Sequence, residues 1–246
     1  MRCKYRIYNQ NSKMILTINK ANDLNSCDFL FNSTELCEIM GRNRSDKGHK
    51  NLKKTHNYTT VYYKLFKDLK NKQLNIFELG LGTNNTDVPS NMGINGRVGA
   101  SLYGWSEFFP NASVFGADID KRVLFNTEKI KTFYCDQTDP NSICDLWGND
   151  DLKNIEFDIL VEDGLHQHQA QICFFENSIH KVKSGGYYII EDFNHGRPFE
   201  MMCDKFRSYK ESNQYPNLSV EIYQLPPTSD HHKKNKNNGL VVIKKC

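Results

Sequence analysis

The sequence predicts an α/β protein, with a mostly parallel seven-stranded sheet between helical layers and an antiparallel strand at the C-terminal end. Three observations carry this. Phe157-Asp-Ile-Leu-Val-Glu162 and Gly185-Gly-Tyr-Tyr-Ile-Ile-Glu-Asp192 are apolar runs ending in acids, the pattern of strands buried on both faces. Between them Ile172, Phe175, Ile179 and Val182 recur at helical spacing, closed by Ser184-Gly185-Gly186. A right-handed strand–helix–strand unit puts both acidic tips on one sheet edge, about 5 Å apart if the strands are neighbours. Third, Ile76-Phe-Glu-Leu-Gly-Leu-Gly82 reads as a strand entering a glycine turn, followed by strands Ser113–Asp118 and Ile130–Asp136 that also end in acids. Together these describe a Rossmann-like three-layer sandwich.

Taken in order, the chain opens on a segment, residues 1–70, expected to act as a smaller cap over substrate and cofactor; residues 71–246 form the main domain. Met1 to Ile18 mixes charges with apolar residues and reads as a strand or extended arm. Asn32-Ser-Thr-Glu35 offers an N-cap followed by acids, so a short helix runs to about Met40 and stops at Gly41. Ser45-Asp-Lys-Gly48 is a polar turn. Tyr58, Tyr62, Leu65 and Leu69 then share one helical face, which packing on the domain explains by itself. After the first sheet strand comes a long polar loop, Thr83–Asn95, then a helix over Gly99–Phe109 ended by Pro110-Asn111. Another helix spans about Asn141–Trp147. Past Asp192, Phe199–Tyr209 reads as a helix. Leu218–Gln224 alternates like a half-buried strand, and Gly239–Lys244 is placed to pair with it antiparallel.

Composition sets limits. The 246 residues, 38% hydrophobic, suffice for one large domain with an ordinary core. No apolar run approaches a membrane span, and the N-terminus lacks the apolar block of a signal peptide, so a cytoplasmic chain is expected. Eight scattered cysteines without a C-x-x-C pair read as reduced thiols. A net charge of +3 is too small for a nucleic-acid track, and the cluster Lys233–Lys236 reads as a solvated face. The expected partner is a small-molecule substrate, with self-association into a homo-oligomer left open.

The chemistry-bearing residues sit at the strand tips. Gly80 and Gly82 give an incomplete dinucleotide fingerprint, because Asn85 stands where a third glycine belongs. Asp118, at the end of the second strand, suits ribose hydroxyls, and Asp136, after the third, an adenine amino group. Glu78 lies inside the first strand, where a pyrophosphate gains nothing from a carboxylate but an ammonium does. That favours S-adenosyl-L-methionine over NAD or FAD. Asp163, His166, Glu191 and Asp192 converge on one crevice if their strands are neighbours. Adjacent strand residues point to opposite faces, so Glu191 and Asp192 reach one ion only if the strand bends there. The competing structural reading of Asp163 and His166 is a helix N-cap and its neighbour. His168 is expected on an outer helix face, His195 as a second base or substrate contact, and His231-His232 in a loop.

From about residue 45 to 195 the chain resembles class I S-adenosylmethionine-dependent methyltransferases, and within them the macrocin O-methyltransferase group of sugar, capsule and antibiotic biosynthesis. Ser45-Asp-Lys-Gly48, Tyr58-Thr-Thr-Val-Tyr62, Glu78-Leu-Gly-Leu-Gly82, Phe109-Pro-Asn-Ala112, Gly116-Ala-Asp118, Asp136-Gln-Thr-Asp139, Asp163-Gly-Leu-His166 and Gly185–Asp192 carry the likeness by order and spacing. The resemblance implies cofactor contacts from Glu78, Gly80, Asp118 and Asp136, with Lys47, Tyr58 and Tyr62 capping the methionyl end or the substrate. It also implies a Mg2+ site at Asp163, Glu191 and Asp192 with His166 as catalytic base. Leu165 stands where the group usually has serine. The function so implied is methyl transfer to an oxygen of a small polyhydroxylated or phosphorylated precursor, in capsule, polysaccharide or sugar-derivative biosynthesis. The alternatives are an NAD(P)-dependent oxidoreductase on a related sheet, or a non-catalytic S-adenosylmethionine-binding module.

Overall fold

A computed structural model describes residues 13–24, 30, 32–48, 56–226 and 237–246. In chain order its elements are β1 (Ile15–Asn19), α1 (Ala21–Leu24), α2 (Glu35–Arg42), α3 (Tyr58–Phe66), β2 (Asn75–Leu79), α4 (Ala100–Phe108), β3 (Ser113–Asp118), β4 (Ile130–Tyr134) and α5 (Pro140–Gly148). There follow β5 (Phe157–Glu162), α6 (His168–Ser178), β6 (Val182–Asn194), α7 (Arg197–Glu211), β7 (Leu218–Gln224) and β8 (Asn237–Lys245). The sheet order is β1-β7-β8-β6-β5-β2-β3-β4. Strand β8 runs antiparallel to both β6 and β7, and the remaining pairs are parallel. The sheet has eight strands where seven are expected. The eighth, β1, comes from the N-terminal segment and pairs with β7 from Ile15↔Ser219 to Asn19↔Tyr223.

Alternation along each strand builds the three layers. Ile76, Val114, Ile159, Val161, Ile189 and Val242 face α2, α3 and α4, where they meet Met40, Tyr62, Phe66 and Trp105. Their neighbours Phe77, Phe115, Leu160, Tyr188 and Ile190 face the other way, against Trp147, Phe174, Phe175 and Phe206 of α5, α6 and α7. Helix starts follow capping chemistry. Thr34 accepts from the Cys37 amide at the start of α2, and Asp139, followed by Pro140, accepts from the Asn141 amide at the start of α5.

The segment after α6 departs from expectation. The helix ends at Ser178, and β6 begins at Val182, before the glycine pair. Gly186 lies inside the strand because an added Cβ there would sit 3.0 Å from the carbonyl oxygens of Phe157 and Asp158 on β5. Strand β6 thus runs for thirteen residues and carries Glu191 and Asp192 beyond the end of β5. No described helix is long and apolar enough to cross a membrane. His231-His232, the cluster Lys233–Lys236 and most of the arm Met1–Ile18 lie outside the described residues.

Candidate active site

In strand order the chain leaves β2 for β3 and β4 on one side, then returns to β5 and β6 on the other. Open α/β sheets bind ligands outside the carboxyl ends of their strands at such a switch point. The candidate residues gather there. Gly80 takes φ +94°, and a Cβ on it would come within 2.0 Å of the Asp163 carbonyl oxygen, so only glycine lets the tips of β2 and β5 close on each other.

Parity decides which acids meet. Glu78, Asp163 and Glu191 occupy positions that face the α2–α4 layer, whereas Glu162 faces the opposite way. There Glu162 is fully buried and accepts from Gln137 Nε2 at 2.8 Å. Asp192 should share the direction of Glu162, but a bulge intervenes. The β6–β8 register shifts between Glu191 and Phe193, and Asp192 adopts φ +57°. This turns its carboxylate to the same side as Glu191 and removes the objection that neighbours cannot serve one crevice.

Helix α3 answers with two tyrosines one turn apart. Tyr58 Oη donates to Asp192 Oδ1 at 2.7 Å, and Tyr62 Oη donates to Glu191 Oε1 at 2.5 Å. Burial, together with Asp192 for Tyr58 and Glu191 for Tyr62, holds both phenols well above their ordinary pKa, so they remain donors. His56 stacks on Tyr58 with ring centroids 4.5 Å apart; its Nε2 lies 3.3 Å from Asp192 Oδ1 and its Nδ1 3.0 Å from Asn238 Oδ1. Lys47, 1% exposed, brings its ammonium to Asp163 Oδ2 at 2.5 Å, Glu191 Oε2 at 2.7 Å and Glu78 Oε1 at 3.4 Å. Lys47, Tyr58 and Tyr62, expected to cap the methionyl end or the substrate, are here paired with the acids.

His166 also has a left-handed backbone, φ +58°. Its Nε2 lies 3.1 Å from Asp163 Oδ1 and 3.8 Å from Asp192 Oδ2. Burial alone would lower its pKa, but Asp163 and Asp192 outweigh this and raise it to about 10. Burial likewise opposes the ionised Asp163, yet Lys47 and His166 hold that carboxyl below its ordinary range. Ligand atoms of Asp163, His166 and Asp192 all lie within 4.8 Å of one another. The two carboxylates suit a hard divalent cation that keeps positions for other ligands, with the imidazole beside them. Left-handed backbone at non-glycine residues costs on the order of 1–3 kcal/mol each, and here two such residues supply the converging atoms. Glu191, expected as a third ligand, has one oxygen on Tyr62 and the other on Lys47.

The other side of the switch point is differently arranged. Glu78 is fully buried: Trp105 Nε1 donates to Oε2 at 2.5 Å, Ser101 donates to Oε1, and the ammonium it meets is that of Lys47. Asp118 accepts from the amides of Leu81 and Asp120, both at 2.8 Å, and so fixes the glycine turn. Gly82, φ +74°, lies under Met92, whose Sδ an added Cβ would meet at 2.4 Å. The Thr83–Asn95 loop thus folds over that turn, and Ser90 reaches on to the Leu165 carbonyl at 3.0 Å. Asp136 turns into its own bend, accepting from the amide and hydroxyl of Thr138. Its neighbour Gln137 turns inward instead, to Glu162, and also accepts from the Leu165 amide at 2.7 Å. His168 is half-buried on α6, and His195 is half-buried beyond the bulge.

No family model matches the sequence. Over 137 residues the chain is 29% identical to the 8-demethyl-8-alpha-L-rhamnosyl tetracenomycin-C 2'-O-methyltransferase of Streptomyces olivaceus, and 28% identical to the demethylmacrocin O-methyltransferase of Streptomyces fradiae. Over 140 residues it is 30% identical to the mycinamicin VI 2''-O-methyltransferase of Micromonospora griseorubida. Over that stretch the chain is similar to these O-methyltransferases. Each match covers 56% of this chain and 33%, 32% and 31% of the respective relative, so the chain spans about a third of their length. Among solved structures, the MycE methyltransferase of the mycinamycin biosynthetic pathway, in complex with Mg, SAH and mycinamycin VI, superposes with a TM-score of 0.62 at 24% identity. That match covers 87% of this chain and 55% of MycE. A second MycE structure, with Mg and SAH, gives 0.63 at 22% identity. The fold is that of MycE over the matched part of the chain.

Sequence reasoning missed His56, Gln137 and Trp105. His56 precedes Tyr58 by two residues at a helix start, a position that resembles a surface cap. Gln137 differs from Asp136 only in the direction in which the chain leaves β4. Trp105 showed in sequence only as one apolar residue of a helix.

Proposed function

We propose that this chain is an S-adenosyl-L-methionine-dependent, Mg2+-assisted O-methyltransferase acting on a hydroxyl of a small sugar-containing or phosphorylated precursor, in capsule, polysaccharide or related sugar-derivative assembly. The observation that carries the reading is the convergence of Asp163, His166 and Asp192 beside the Glu78–Gly82 turn. The relatives named above are methyltransferases of sugar-bearing molecules, and MycE binds Mg and SAH, which supports the same chemistry here.

The methyl donor supplies an electrophilic sulfonium methyl, and a divalent cation supplies Lewis-acid activation of the acceptor hydroxyl. Asp163 and Asp192 would hold the cation. Tyr58 and His56 fix the direction of Asp192, while Lys47 fixes that of Asp163. His166 takes the hydroxyl proton at Nε2, the atom that faces both carboxylates. Burial disfavours the charged imidazole, and Asp163 and Asp192, with a lesser contribution from Glu162, hold it protonated; a cation on the two aspartates would offset their charge and favour the neutral base. On the other side Asp118 and the turn it braces serve the donor's ribose. Gly80 and Gly82 keep the backbone close, and Glu78 supports the turn from beneath.

The test is methyl transfer from labelled S-adenosyl-L-methionine to a panel of nucleotide-linked sugars, capsule glycans, polyketide sugars and phosphorylated or phosphoramidate precursors, with and without chelator. The reading expects SAH binding without NADH binding, and turnover that chelation removes and Mg2+ restores. Full turnover after exhaustive chelation would sink the metal half; NADH binding in place of SAH would sink the whole.

A further inference from the structure

We infer that Lys47 is a resident cation of the acidic crevice, its ammonium competing with a divalent ion for Asp163 and Glu191. The inference rests on the metal reading above and assigns a role that the methyl-transfer chemistry does not require.

Among the described residues, Glu78, Asp163, Glu191 and Asp192 crowd the tips of β2, β5 and β6, with Asp46 close by. Against them stand Lys47 and the imidazoles of His56 and His166. Lysine is seldom fully buried unless paired, and here three carboxylates from three strands share one ammonium.

The backbone that delivers Lys47 is itself fixed. Its amide donates to Ser45 Oγ at 3.3 Å and its carbonyl accepts from the Thr59 amide at 3.2 Å. An added Cβ on the following Gly48 would press on the Cys37 carbonyl at 3.1 Å. The ammonium is therefore presented to the acids by a braced turn rather than by a loose surface arm.

Asp163 is the shared group. One oxygen, Oδ2, holds the ammonium, and the other, Oδ1, faces His166 within the three-residue ligand cluster. A divalent ion held by Asp163 and Asp192 would lie one carboxylate away from a fixed positive charge, and would reach Glu191 only if the ammonium let go. Like charges at that separation in a water-poor crevice oppose each other strongly. The lysine thus keeps the three strand tips together when no metal is bound, and it lowers the affinity of the crevice for the metal.

The test is calorimetric titration of chelator-treated full chain with magnesium chloride, alongside K47Q and K47R. The expected result is at least tenfold tighter Mg2+ binding by K47Q, a larger Mg2+-induced rise in its melting temperature, and wild-type behaviour in K47R. Equal or weaker binding by a folded K47Q that still binds SAH would overturn the inference. Should K47Q not fold, the ammonium resonance of Lys47 in isotope-labelled wild type serves instead. The inference expects that resonance to move as Mg2+ is added, and a resonance unchanged to high Mg2+ overturns it. Binding by K47Q but not by wild type supports the inference. Binding by neither overturns it together with the metal half of the functional reading, while SAH affinity reports on the cofactor half separately.

Discussion

The two sides of the switch point treat their carboxylates differently. At the ends of β2 and β3, Glu78 and Asp118 are met mainly by groups that cannot leave: an indole N–H, a serine hydroxyl and backbone amides. At the ends of β5 and β6, Asp163 and Asp192 face groups whose charge or position can change: an ammonium, two imidazoles and a phenol. An acid saturated by fixed donors is scaffold, whereas an acid facing displaceable cations can take part in chemistry. Glu191 stands between the classes, sharing Lys47 with one side and Tyr62 with its own helix layer.

The sharpest way to break this contrast is to neutralise one acid on each side. D163N and D192N should each lower turnover by about 10³-fold while leaving SAH affinity within a few-fold, because they remove cation ligands and little scaffold. Glu78→Ala should do the reverse. It strips partners from Ser101, Trp105 and Lys47 together, so its main effect should be a loss of about 3–5 kcal/mol of stability, read from the urea midpoint. If E78A keeps wild-type stability, the scaffold half of the comparison fails. His166→Ala should cost turnover roughly 10²-fold or more with SAH affinity largely kept, measured with acceptor and cofactor saturating.

A smaller effect follows from Glu162, the acid on the opposite face. Burial raises its pKa from the ordinary carboxylate value to about 7, with Gln137 only partly offsetting this. An unfolded chain ionises Glu162 near pH 4.5 and the folded one only near 7. Its contribution to stability is therefore complete below the lower value and is lost as pH rises between the two. The loss should be about 3 kcal/mol in metal-free protein, and E162Q should flatten that stretch of the stability–pH curve. The smallest effect is expected at Ser90, exposed on the loop that reaches Leu165. Ser90→Ala should change stability by about 1 kcal/mol or less, and any larger change in acceptor KM would move the loop from scaffold to the substrate side.

Much of this was legible in the chain itself. Apolar runs with acidic tips located β2, β3, β5 and β6, because a strand buried on both faces has to be apolar throughout and can carry charge only where it ends. The spacing of Asp163 and His166 and the doublet Glu191-Asp192 marked the crevice for the same reason. Periodicity also identified helix α3, but it could not say that Tyr58 and Tyr62 face Asp192 and Glu191, since a tyrosine packed in a core and one holding a carboxylate show the same spacing. The early start of β6 was missed because Ser184-Gly185-Gly186 reads as a turn.

By itself the sequence determined the layered sheet, the edge on which the acids gather and the candidates for metal and proton chemistry, all of which follow from local pattern and the handedness of crossover connections. Only the tertiary structure decided how those acids divide. A one-residue bulge turned Asp192 to the side of Glu191, strand parity sent Glu162 to the opposite face, and a turn more than a hundred residues before Asp163 and Glu191 brought Lys47 among three carboxylates. Charges buried together are assigned by geometry, because their energies depend on which partner lies within about 3 Å, and sequence spacing does not carry that distance.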